Sequence, residues 1–161
     1  MRPSQEPDRA ASRRRFARLA AVQALYQADL NRESIERVLT QFLRHRVGQE
    51  DEGVILNADI DFFTSVVRGV AANKPDLDRR ITAALTSGRD LERMEVVLRA
   101  ILQAGAFELC HRPEIPTKVV ITEYVDIAGD FFSENEAGLA NGVLDRIAKA
   151  VRGEPAADGG G

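Results

Sequence analysis

Arginine is concentrated near the start of the chain. Arg13, Arg14, Arg15 and Arg18 fall within six positions, preceded by Arg2 and Arg9. A guanidinium is a planar fork of N–H donors that matches a phosphate, so such a cluster points to binding a polyanion. On a helix Arg14 and Arg18 lie one turn apart, and Arg15, Arg18, Val22 and Tyr26 advance by three, four and four along one stripe. That stripe sets positive charge beside an aromatic face on which a base could stack. The helix's first turn adds free amides and a positive dipole end. A plainer role also fits: a solvated charged face, with Tyr26 half-buried and its hydroxyl on a carbonyl. The following Leu19-Ala20-Ala21-Val22-Gln23-Ala24-Leu25 is apolar around most of its perimeter. The basic surface must therefore emerge from Arg13–Arg18, with Tyr26 at its edge.

A second basic segment, His111, Arg112 and Lys118 around Pro113 and Pro116, could extend that surface or simply join two helices. Net charge is −3 over 161 residues, but residues 1–18 carry six arginines against two acids, a net of +4, leaving −7 on the remainder. A basic head on an acidic body fits an end that meets phosphate, and equally a solvated tail.

Signatures of catalysis are missing. The sequence has no G-x-G-x-x-G, phosphate-loop, H-E-x-x-H or G-x-S-x-G pattern. Glu123 and Asp126 sit three apart, but among 25 acids such pairs arise by chance. Cys110 is the single cysteine and His45 and His111 are far apart, so no disulfide, metal site or cofactor is expected, and Cys110 reads as a small packing residue. No apolar run reaches the ~18 residues of a membrane span, and the basic start lacks a secretory signal's apolar segment. These features predict a cytoplasmic protein that is not an enzyme.

The elements that position these residues read as helices throughout, giving an all-α fold of about seven. Residues 1–11 read as a disordered basic tail, 12–152 as the helical domain and 153–161 as a flexible tail. Ser12 starts a first helix to about Leu30, and Ser34 caps a second carrying Val38, Leu39 and Phe42. Residues 48–53 form an acidic loop. Asn57 caps a third helix with Ile60, Phe63, Val67 and Val70 on one stripe, and Pro75 opens a short fourth that ends at Thr86-Ser87-Gly88. A long helix spans about Leu91 to Cys110, and Pro116 opens the next. Ser133-x-x-Glu136 is a capping box for the last. Gly142, inside that helix, predicts a close helix contact, with Asn141 free to bond a neighbouring backbone group.

Several ordered segments resemble the NusB family: Arg14-Arg15-x-x-Arg18 with Ala21-Val22-Gln23-Ala24-Leu25-Tyr26; Gly69-Val70-Ala71-x-Asn73; Phe107-Glu108-Leu109; Ile115-Pro116-x-Lys118-Val119-Val120-Ile121-x-Glu123; and Asn141-Gly142-Val143-Leu144-Asp145. The resemblance spans about 13–31 and 58–151. It implies two packed helical bundles and a scaffolding role in transcription antitermination and termination, with no catalytic step. It implies binding of boxA-type RNA together with NusE, a small-subunit ribosomal protein, and joining of other Nus factors on RNA polymerase to support ribosomal RNA transcription. RNA contact would fall on Arg14, Arg15, Arg18, Tyr26 and Lys118, to which the charge cluster itself adds Arg13, and the NusE surface on Phe107, Glu108, Glu134 and Asn135. Some relatives form homodimers that hide the RNA surface, and the sequence leaves that state open.

The chain departs from the family at Gln103, usually arginine, at Phe107, usually tyrosine, at Asn135, often an acid, and at Leu139-Ala140, usually Phe-Val. The family's related RNA-cytosine methyltransferases carry a further catalytic domain that 161 residues do not accommodate. The departures and the acidic body leave a second reading open, a protein-interaction scaffold without direct RNA binding.

Overall fold

A computed structural model describes residues 5–44, 59–86 and 88–153. Among them are six α-helices: α1 Gln5–Asn31, α2 Ile35–Phe42, α3 Ile60–Ala84, α4 Val96–His111, α5 Thr117–Phe131 and α6 Glu134–Arg152, with a short 3-10 turn at Leu91–Arg93. The fold is all-α. The chain divides into two compact units, Met1–Ala71 and Ala72–Gly161.

In the first unit, α1 begins at Gln5 rather than at Ser12. Pro7 is tolerated because the amides of a first helical turn have no intrahelical partner. Ala17, Ala21, Val22, Ala24 and Leu25 form its buried face. It ends in a Schellman turn: Arg32 takes a left-handed φ of 54° and the Glu33 amide donates to the Ala28 carbonyl at 3.0 Å. Ser34 then caps α2 as expected, accepting from the Arg37 amide at 3.2 Å. Phe42 stacks on Phe63 with ring centroids 5.9 Å apart. The acidic loop, the Asn57 cap and the tail beyond Gly153 lie outside the described residues. Asp59 accepts the Phe62 amide at 3.0 Å at the start of α3.

No separate helix opens at Pro75. It lies inside α3, where its missing N–H leaves the Ala71 carbonyl without its usual donor. That interruption costs ~3 kcal/mol in an exposed helix. Full burial of Val66, Val67, Leu77 and Ile81 on either side offsets it.

In the second unit the expected Leu91–Cys110 helix is broken near its start. Asp90 accepts the Glu92 amide at 3.0 Å and holds a tight turn, Met94 is extended, and α4 begins at Val96. This side-chain cap competes with helix continuation. Every residue from Ala100 to Leu109 is buried, so α4 is the central helix, apolar nearly all round. The Ser133 hydroxyl donates to the Glu136 carboxylate at 2.6 Å instead of accepting its amide, so the capping box forms only in part. That bond first, and backbone amides after it, hold the Glu136 carboxyl below its ordinary range.

The glycine that permits close approach is Gly105, not Gly142. A Cβ on Gly105 would stand 2.9 Å and 3.0 Å from the methyls of fully buried Leu144 and 3.4 Å from the Tyr124 ring. A Cβ on Gly142 would meet only the Arg146 side chain of its own helix, at 3.4 Å or more. Gly142→Ala should therefore raise stability by about 0.5–1 kcal/mol through helix propensity. Gly105→Ala should lower it by about 1–2 kcal/mol, overpacking outweighing the same propensity gain. Urea midpoints at constant m-value read both signs.

Candidate nucleic-acid interface

The arginine-rich start of α1 is tied to the start of α3. The Asp59 amide donates to the Arg13 carbonyl at 3.1 Å, while the Asp59 carboxylate caps the helix that carries Phe62. This sets the Phe62 ring under two guanidiniums, Arg14 at 4.5 Å and Arg18 at 5.0 Å from its centroid. Cation–π stacks are worth ~0.5–1 kcal/mol when exposed and ~2 when desolvated. Arg14 retains 39% of its side-chain exposure, and its Nε lies 3.7 Å from Asp59 Oδ2.

The predicted stripe therefore splits. Arg18, expected to grip phosphate, is only 3% exposed: it shares the buried face with Ala17, Ala21 and Val22 and packs on Phe62. Tyr26 is half-buried, and Arg13 and Arg15 are exposed. Because α1 starts early, exposed Arg9 stands one turn before Arg13 on the same face. Sequence reading missed it by treating residues 1–11 as a tail, although the four-residue spacing was there. Phe62 was missed as well, since the third-helix stripe was drawn through Ile60 and Phe63. Ile60 is in fact 39% exposed.

In the second unit Lys118 is exposed on the first turn of α5. The segment before it is held by Arg152 from the last turn of α6. That guanidinium donates to the carbonyls of Glu108, Leu109, Arg112 and Ile115 and to the Thr117 hydroxyl, at 2.8–3.3 Å. Burial pulls its pKa below the ordinary arginine value. Arg112 pairs with Glu114 at 2.7 Å. Cys110 is half-buried, and burial pushes its thiol up, which suits packing rather than nucleophilic chemistry.

Two of the four predicted partner residues are interior in the same way. Glu108 is fully buried and accepts the Tyr124 hydroxyl at 2.5 Å, and Phe107 is buried with His111 stacked on it at 5.3 Å. Glu134 and Asn135 are exposed, at the start of α6. The same helix turn contributes Glu136 and Leu139 to a depression of about 300 Å³, which Met94 and Leu98 also line.

The NusB family model matches residues 15–149. The chain belongs to the NusB family. Transcription antitermination protein NusB of Rhizobium johnstonii is 46% identical over 153 residues, 94% of this chain and 96% of that protein. Its counterpart in Bradyrhizobium diazoefficiens is 45% identical over 154 residues, 95% and 93% of the two chains. T. maritima NusB superposes with a TM-score of 0.72 at 32% identity, covering 84% of this chain and 90% of that one. The same fold is seen at a TM-score of 0.71 and 23% identity in antitermination factors NusB and NusE in complex with dsRNA, covering 85% and 96%.

Within the NusB frame the departures have local partners. Gln103 donates to Asp78 at 2.8 Å, linking α4 to the C-terminal half of α3. Phe107 stacks without needing a hydroxyl, and Ala140 is fully buried. Replacing Arg152 by methionine should destabilise the second unit by about 2–4 kcal/mol, because several carbonyls lose their donor together. Hydrogen exchange at the α4 C-terminus and the 112–117 segment should show the largest loss of protection.

Proposed function

We propose that the protein is a transcription antitermination factor that binds boxA-type RNA through the first turns of α1 and docks NusE on the second unit. With other Nus factors and RNA polymerase it would support ribosomal RNA transcription in the cytoplasm. One observation carries the RNA reading: Arg9, Arg13 and Arg15 stand exposed on one helix start, with Arg14 half-exposed on Phe62 beside them. Lys118 adds an exposed ammonium on the second unit. A relative of the same fold solved with NusE and double-stranded RNA supports both partners.

The NusE surface is assigned to the depression at the start of α6. Its apolar Met94, Leu98 and Leu139 are flanked by Arg89, Arg93, Glu95 and Glu136. Exposed Glu134 and Asn135 adjoin it along the chain. An apolar centre with a charged rim is the usual anatomy of a protein-binding patch.

A scaffold that binds NusE but no RNA is the second reading, favoured by the burial of Arg18 and by Asp59 standing beside Arg14. Gel-shift titrations of the protein, of NusE and of the mixture across salt concentrations separate the two. With three or four phosphates neutralised, log affinity should fall with log salt at a slope of about −2 to −3. Arg13→Ala with Arg15→Ala should flatten that slope by about 1 to 1.5. RNA retention by the mixture no better than by NusE alone would favour the scaffold. Leu139→Arg should abolish NusE binding while leaving the RNA affinity of the isolated protein within about twofold.

A further inference from the structure

Asp59 is an acid placed against the exposed part of the arginine cluster, beside Arg14. Its position is set by backbone bonds rather than by Arg14. Its Oδ1 accepts the Phe62 amide at 3.0 Å and its own amide donates to the Arg13 carbonyl at 3.1 Å. Arg14 in turn is set by the Phe62 ring. The two charges meet at 3.7 Å, too long for a good N–H···O bond and far from the paired geometry a guanidinium makes with a well-placed oxyanion.

We infer that Asp59 is a built-in competitor for the phosphate at Arg14, occupying the guanidinium in the free protein and yielding it to the RNA backbone. The inference rests on the RNA-binding reading of α1 and names the residue that tunes its affinity. The arrangement suits exchange. The carboxylate stays fixed by its capping bond when Arg14 turns away, so releasing Arg14 breaks one loose ion pair and leaves the start of α3 intact. A half-exposed pair of this kind contributes little, which a phosphate held by a proper fork exceeds. Asp59 thereby restrains binding to any passing anion.

Asp59→Asn separates charge from cap, because asparagine caps helices as well as aspartate. RNA affinity of this variant should rise about two- to fivefold, the range expected for removing a weak exposed pair. Asp61→Asn, on the same first turn but not paired with Arg14, should change affinity by less than about 1.5-fold. In an Arg14→Ala background the gain from Asp59→Asn should disappear, which a double-mutant cycle reads directly. Equal gains from Asp59→Asn and Asp61→Asn would show a diffuse field and overturn the inference. So would a gain that survives in the Arg14→Ala background, or no gain in a variant whose urea midpoint is unchanged. Tripolyphosphate, followed by the Arg14 Nε–Hε resonance, provides a readout independent of RNA. If no RNA binds but tripolyphosphate binds more tightly to Asp59→Asn, the functional reading fails and this inference stands. If tripolyphosphate binding is indifferent to Asp59→Asn, the inference fails.

Discussion

The carbonyls left open where helices end decide how the second unit closes. The last turn of any α-helix has C=O groups without an internal donor. For α4, buried along nearly its whole length, water is a poor substitute. The last helix supplies the donors. Arg152 reaches the end of α4 and the turn beyond it, and Arg146 donates to the Ala84 carbonyl at the end of α3 at 2.7 Å. Ordering one long side chain costs up to ~2 kcal/mol. Several bonds from a cationic donor, each worth ~1.5–3 kcal/mol, outweigh that, and the positive charge also meets the negative end of each helix dipole. Lysine, with three donors on a single atom, could not span so many acceptors.

The first unit uses the same side chain differently. Within α1 one guanidinium is buried on an aromatic ring, one rides half-exposed on that ring, and others belong to exposed residues. The formal charge of the cluster therefore overstates what a partner meets. Neighbouring residues three or four apart share a face, and the face containing Arg14 and Arg18 belongs to Phe62. The flanking positions, Arg13 and Arg15, are the exposed ones.

Much of this architecture was legible in the chain. Apolar periodicity located the helices, Ser34 marked its cap, and the arginine cluster and the Asn141-Gly142 segment pointed to the NusB family. What escaped depends on partners remote in sequence. Nothing local in Arg152 signals that it will serve carbonyls 37–44 positions earlier. Phe62 gains meaning only when α3 is laid against α1. Gly142 looked like the tight contact because glycine is costly in a helix, whereas Gly105, equally costly, is the one with Leu144 pressed against it. Pro75 read as a beginning because a proline usually is one, yet buried residues on both sides carry the helix through it. Among the site residues, exposure was the property that spacing did not supply. Arg18 was chosen by type and spacing, Phe107 and Glu108 by the family resemblance, and all three are interior.

The position of Arg152 also bears on how the polypeptide matures on the ribosome. Synthesis runs from the N-terminus, and domains tend to fold in that order. Every residue of the first unit precedes Ala72, so that unit can consolidate early. The other must wait: α4 and the turn after it are translated dozens of codons before the guanidinium that satisfies their backbone. Until then a nascent chain carries a strongly apolar helix with an unfinished end, the kind of surface that chaperones shield.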